Sequence, residues 1–140
     1  MPLRGFTSIC ATRPKIIVSR DPGSQRKHIA NNVNLNYVTH YRIDGVVITS
    51  GNRCDFLLMN EDTHTAYLIE IKGSDLSKAA IQLESTEAAL RDELIQYNLR
   101  FRIVASKART HAIEGVSFKR FRARKSSSLI YSTNLIEESI

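Results

Sequence analysis

In the stretch Thr65–Lys72 (TAYLIEIK), two charged side chains, Glu70 and Lys72, interrupt an otherwise apolar run. As a strand, this run places Leu68, Glu70 and Lys72 on one face and Tyr67, Ile69 and Ile71 on the other. A second apolar run, Cys54–Met59, precedes it across the polar Asn60-Glu61-Asp62-Thr63-His64, the pattern of a β-hairpin. A hairpin symmetric about the Asp62–Thr63 bond sets Asp55 opposite Glu70. Carboxylates opposed in this way, with Cβ atoms about 4.5–5.5 Å apart, repel each other. In an apolar strand pair they need a cation between them. A hard divalent ion suits two carboxylates, since Mg²⁺ is commonly held by one or two of them together with water and phosphate oxygens. Lys72 beside such an ion would orient an attacking water or offset charge on a phosphoryl group. Together these residues outline phosphodiester hydrolysis.

Several elements must position these groups. After Gly73, the residues Leu76, Ala80, Leu83, Leu90, Leu94 and Tyr97 recur at helical spacing and predict an amphipathic helix of roughly 22 residues, capped by Ser74 or Asp75. Leu99–Ser106 reads as a buried strand. Upstream, Asp21-Pro22-Gly23-Ser24 is a turn, and Ser24 predicts the N-cap of a short helix over Gln25–Val33. The β-branched density of Tyr41–Thr49 predicts a strand, as do the basic segment Val116–Phe121 and the short Leu129–Ser132. Helix, three strands, helix, strand and a β-rich tail predict an α/β fold with a mixed β-sheet flanked by helices.

The chain has 140 residues, 42% of them hydrophobic and 24% charged, with a net charge of +6. That length suits one domain, 1–140, and the composition excludes collagenous and wholly disordered classes. Residues 1–30 carry 6 Lys/Arg against 1 Asp, 31–97 carry 5 against 10 Asp/Glu, and 98–125 carry 9 against 1 Glu. An acidic middle therefore lies between basic flanks, which points to a polyanionic partner. The densest basic run is Lys119, Arg120, Arg122, Arg124 and Lys125, with Phe118 and Phe121 interleaved. Arg100 and Arg102 share a face of the predicted 99–106 strand, and Lys107 and Arg109 follow it; all nine are candidate nucleic-acid contacts. Asp44, on the preceding strand, is a further candidate for the acidic cluster. Cys10 and Cys54 show no disulfide framework and no metal-ligand spacing. Arg4 and Arg13 interrupt the apolar residues at the start, so no signal-peptide core is read, and no run is long enough to span a membrane. A cytoplasmic, non-membrane protein is expected.

Asp55 and Glu70-Ile71-Lys72, on a hairpin followed by a long helix, resemble the PD-(D/E)xK nuclease superfamily. The likeness covers roughly residues 24–106 and leaves a basic extension, 107–140. It implies a restriction-endonuclease-like αβββαβ core that binds Mg²⁺ or Mn²⁺. Asp55, Glu70 and the backbone carbonyl of Ile71 would be the metal ligands, Lys72 the catalytic lysine, and Gln82 the glutamine that many members carry in the following helix. Many members also add an acidic residue from the first helix; Gln25–Val33 has none, and only His28 or Asn31 stands in its place. Cys54 precedes Asp55 where Pro is common, and Thr86 occupies the position of a tyrosine in the RecB-like version. Size and charge look most like the Holliday-junction resolvase branch. The activity implied is a metal-dependent DNA endonuclease acting as a homodimer. The other functions compatible with the sequence are a nucleic-acid-binding or regulatory module without turnover, and an RNA-cleaving toxin or defence effector.

Overall fold

A computed structural model describes residues 3–51, 53–71, 75–106 and 115–140. Alternation in the hairpin builds its centre. β4 (Phe56–Asn60) and β5 (Thr65–Ile71) pair antiparallel, Phe56 with Ile69 through Asn60 with Thr65, which is the register predicted from the turn. β3 (Val38–Arg42) adds antiparallel to β4, while β6 (Asn98–Ala105) and β7 (Leu129–Thr133) add in parallel on the side of β5. The result is a mixed five-stranded sheet in the order β3-β4-β5-β6-β7.

Both faces of this sheet are covered. Leu57, Met59, Leu68, Phe101 and Ile103 meet Leu76, Ala80 and Leu83 of α1 (Leu76–Ala89) and Phe118 and Phe121 of α2 (Val116–Lys125). The opposite face, with Phe56, Leu58, Tyr67 and Ile69, meets Ile17, Ala30 and Ile136. These last three belong to a small sheet of β1 (Ile16–Ser19), β2 (Lys27–Asn31) and β8 (Leu135–Ser139), in the order β1-β2-β8. The fold is α/β, with helices on one side of the main sheet and a second sheet on the other.

Four expectations are corrected. Residues 25–33 are not a helix: Lys27, Ile29 and Asn31 are half-buried while His28 and Ala30 are buried, a period of two that makes β2 a strand. The core therefore runs βββαβ from β3 to β6 without the predicted first helix. Val116–Phe121 is helical, because Phe118 and Phe121 stand three apart and go into the core from one helix face. The predicted strand 41–49 ends at Arg42 and turns at Gly45, whose φ of 80° is left-handed. The long helix is shorter than its apolar pattern, with α1 stopping at Ala89 while Leu90 and Leu94 reach the core from successive turns.

Strand directions gather the loops. β3, β5, β6 and β7 all run the same way, so Arg42, Ile71, Ala105 and Thr133 at their ends, Asp55 just before β4, and Asn134 lie at one edge of the sheet. Asn134 joins the two sheets there: its N–H donates to the Ala105 carbonyl at 2.8 Å, and its carbonyl accepts from the Lys27 N–H at 3.1 Å. The β1–β2 loop, 20–26, therefore opens onto the same edge.

If α2 is a core helix, Phe121→Ala should cost about 3–5 kcal/mol. Urea denaturation reads this directly, and an unchanged midpoint would be incompatible with the packing described.

Candidate active site

The structure brings Asp55 and Glu70 together at the loop-bearing edge. Glu70 pairs with Ile103 on the helix-covered face of β5 and is 0% exposed; Asp55 is 1% exposed. The regular ladder stops at Phe56, one step short of the predicted Asp55–Glu70 pair. Asp55 forms a bend instead. Its N–H donates to the Ile69 carbonyl at 3.1 Å, while its own carbonyl turns the other way and accepts from Ile43 N–H at 2.9 Å. A regular strand residue points both groups to one side, so this is bulge-like geometry, a frequent device for re-aiming a side chain. Here it brings the Asp55 carboxylate to the end of β5, where Oδ2 accepts from the Ile71 N–H at 2.7 Å. The carboxylate is thus tied to the residue that follows Glu70.

α1 fixes the same corner from above. The Thr86 hydroxyl accepts from the Cys54 N–H at 2.7 Å and donates to the Gln82 carbonyl at 2.8 Å. Thr86 is therefore a positioning residue for the Cys54–Asp55 bend. Gln82 lies one turn before it on the buried face of the helix. Burial, with Glu70 and Asp55 nearby, pushes the Cys54 thiol far up, so it is neutral and takes no part as a thiolate.

The donor chemistry fits a hard cation. Two buried carboxylates and the backbone of Ile71 offer only oxygen ligands, the set that suits Mg²⁺ or Mn²⁺. Among the described residues no group of three or more His, Cys, Asp or Glu is gathered, so further ligands would be backbone, water or phosphate oxygens.

Lys72, Lys107 and Arg109 lie outside the described residues. Arg102 is corrected from its predicted role. It does share a face with Arg100, but it is 4% exposed, and its guanidinium grips Glu138 through Nε at 2.7 Å and Nη2 at 2.9 Å. It also lies 5.4 Å from the centre of the Tyr67 ring. Arg102 therefore joins the two sheets and offers nothing to solvent, while Arg100 is half-buried. On α2, Arg124 and Lys125 clip to Glu84 and Glu87 of α1 at 2.6 and 2.7 Å, and Arg122 donates to the Tyr131 hydroxyl at 3.1 Å. Lys119 and Arg120 are exposed and have no ion pair among the described residues.

His28 and Asn31 do not approach the carboxylates. His28 is buried beneath the opposite face, its Nε2 2.7 Å from Glu138 Oε2, and Asn31 donates to Glu137 at 3.0 Å. The Asp44 carboxylate is held by Arg53 Nε at 2.7 Å. The sequence reading missed Thr86, whose signal was a hydroxyl four residues after Gln82 on an apolar helix face. It also missed Arg20 and Arg26, which the topology carries to the site's edge. No family model matches the chain, and no curated protein or solved structure matches it.

Arg102→Met should destabilise the protein by about 1–3 kcal/mol, because it removes a bidentate partner from the partly buried Glu138 carboxylate and leaves only His28. Nucleic-acid affinity per folded molecule should not change; a selective loss of affinity with normal stability would return Arg102 to the contact surface.

Acid should act on the same inter-sheet layer. Burial, with His28 nearby, lowers His40 from 6.5 to about 4. Burial would raise Glu138, but hydrogen bonds from His28 and Arg102 and the Arg102 charge bring it from 4.5 down to about 2. Both groups bind protons more readily in the unfolded chain, so their contributions are full above these ordinary values. Stability should fall from pH 6.5 to 4 through His40 by roughly 3 kcal/mol. It should fall again from 4.5 to 2 through Glu138. Urea midpoints across this range, compared with His40→Gln, measure the first window; a wild-type midpoint that stays level there would contradict the assignment.

Proposed function

We propose that the protein is a metal-dependent nuclease that hydrolyses phosphodiester bonds in DNA, built on a restriction-endonuclease-like core. One observation carries the reading: two carboxylates, Asp55 and Glu70, are buried side by side at the end of a central strand, at the edge where loops converge. Buried paired carboxylates are costly to maintain for stability alone and are the kind of donor set that a divalent ion satisfies. The βββαβ order of β3 to β6 and the PD-(D/E)xK-like residues support the same reading.

Asp55, Glu70 and the Ile71 carbonyl would hold Mg²⁺ or Mn²⁺. Once bound, the ion supplies positive charge against the phosphodiester oxygens. The Ile71 N–H and the Cys54–Thr86 contact keep the Asp55 carboxylate in place without rearrangement during the reaction. Lys72 lies two positions after Glu70 in the sequence; its ammonium would orient water and offset charge on the phosphate. Gln82 and Thr86 hold the helix against this corner. Lys119 and Arg120, with Arg100, Lys107 and Arg109, are the remaining candidates for phosphate contacts. Two copies would cut two strands, and β7 offers a sheet edge, LIYST, without charge or proline, where strands of two copies can pair.

Purified protein should nick supercoiled plasmid with Mn²⁺ or Mg²⁺ and not with EDTA. Glu70→Gln and Lys72→Ala should each lower the rate by about a hundredfold or more. Mn²⁺ should raise the wild-type melting temperature but not that of Asp55→Asn, since a ligand of the native state stabilises by mass action. Light scattering should read twice the chain mass. Equal activity in wild type and variants would end the nuclease reading, and cleavage of RNA alone would move the substrate from DNA to RNA.

A further inference from the structure

The β1–β2 loop separates two clefts at the edge that carries the carboxylates, and Pro22 lines both. The first, about 380 Å³, is apolar. Its walls include Phe6, Val18 and Val46, which are 39, 44 and 54% exposed. Arg20 and Arg42 stand at its rim; Arg42 is held by Asp21 Oδ1 at 2.7 Å and lies over the Phe56 ring at 5.2 Å, while Arg20 is exposed. Phe56, also in this wall, is the residue directly after Asp55. The second cleft, about 580 Å³, is polar and runs from Pro22 through Gly23, Ser24 and Arg26 to Asn134. The Arg26 side chain lines it, and its buried Nε has no hydrogen-bond partner among the described residues.

An apolar slot beside a polar one with an incompletely satisfied guanidinium matches the two halves of a nucleotide. A base offers a flat apolar face for an aromatic wall, and the adjoining phosphate offers oxygens to arginine. A base stacked inside a duplex cannot enter such a slot; an unpaired one can. We propose that the two clefts flanking Pro22 bind one unpaired nucleotide, with its base against Phe6, Val18 and Val46 and its phosphate on Arg26. The preferred substrate class is then nucleic acid with single-stranded nucleotides next to the cleavage point, such as a fork or flap. This substrate assignment rests on the nuclease reading for its chemistry, whereas the binding site itself does not.

The test is fluorescence polarisation with a labelled single-stranded oligonucleotide and the matching duplex, in EDTA so that cleavage plays no part. Wild type should bind the single strand more tightly than the duplex. Phe6→Ala, at an exposed wall position, should weaken single-strand binding about tenfold. Arg26→Gln should weaken it and lower the slope of log affinity against log salt by about one. Val46→Glu, on a different segment of the wall, gives a second variant whose effect does not depend on Phe6. Melting temperatures confirm that each variant is folded. Equal affinities for single strand and duplex, or variants that bind like wild type, would overturn the proposal. So would a change of mass for Phe6→Ala in light scattering, which would make the apolar cleft a contact between copies. Plasmid cleavage with normal single-strand binding by the variants would leave the nuclease reading standing without this site. Single-strand binding that the variants abolish, without any cleavage, would do the reverse.

Discussion

The register of β4 against β5 is the constraint on which the other layers depend. With Phe56 set against Ile69, Leu57, Met59, Ala66 and Leu68 face the helices, and Phe56, Leu58, Tyr67 and Ile69 face the small sheet. A slip of one residue between strands would exchange those sets on one strand and leave neither cover with a complementary surface. The same register delivers Glu70 beside Ile103 and ends the ladder where Asp55 can bend. The candidate site is thus a by-product of how the central hairpin terminates. Its carboxylates sit where backbone pairing gives out and a side chain takes over as acceptor for the Ile71 N–H.

The hairpin was readable because its turn is short and polar and its two runs alternate without interruption. Residues 25–33 were misread because Ser24 resembles a helix cap; the Ser24 hydroxyl accepts instead from the Arg26 N–H within a turn. The strand that follows finds its partners far away in the chain, in β1 and β8. Phe118 and Phe121 were read as strand residues among basic ones, although their spacing of three belongs to a helix face. For Arg102, strand alternation placed it on the right face but could not show that Glu138, 36 residues later, would meet it there. Local periodicity carries the ladder as far as Phe56 and brings Asp55 to the end of β5; it carries neither the bend at Asp55 nor long-range ion pairs.

The positive charge of the chain divides by role once the fold is known. Arg102 is internal, Arg124 and Lys125 brace α2 against α1, and Arg53 holds Asp44. Exposed ion pairs such as Arg124–Glu84 contribute little to stability. Arg20 and Arg26 stand instead on a loop at the same edge of the sheets as the carboxylates. The basic run that dominates the sequence is therefore partly fixed against the body of the protein, and less conspicuous arginines near the N-terminus occupy the more suggestive place.

The His28–Glu138 contact spans 110 positions of sequence. At translation speeds of about 5–20 residues per second, roughly 5–20 seconds separate the synthesis of β2 from that of its partner strand β8. Throughout that interval the β1–β2 hairpin must wait, with one edge unpaired and its apolar face either exposed or held by chaperones. Such a topology favours slow, late consolidation over early local folding. The layer that seals the back of the protein is then the last to close during biosynthesis, and the nascent chain is most vulnerable to mispairing just before β8 emerges.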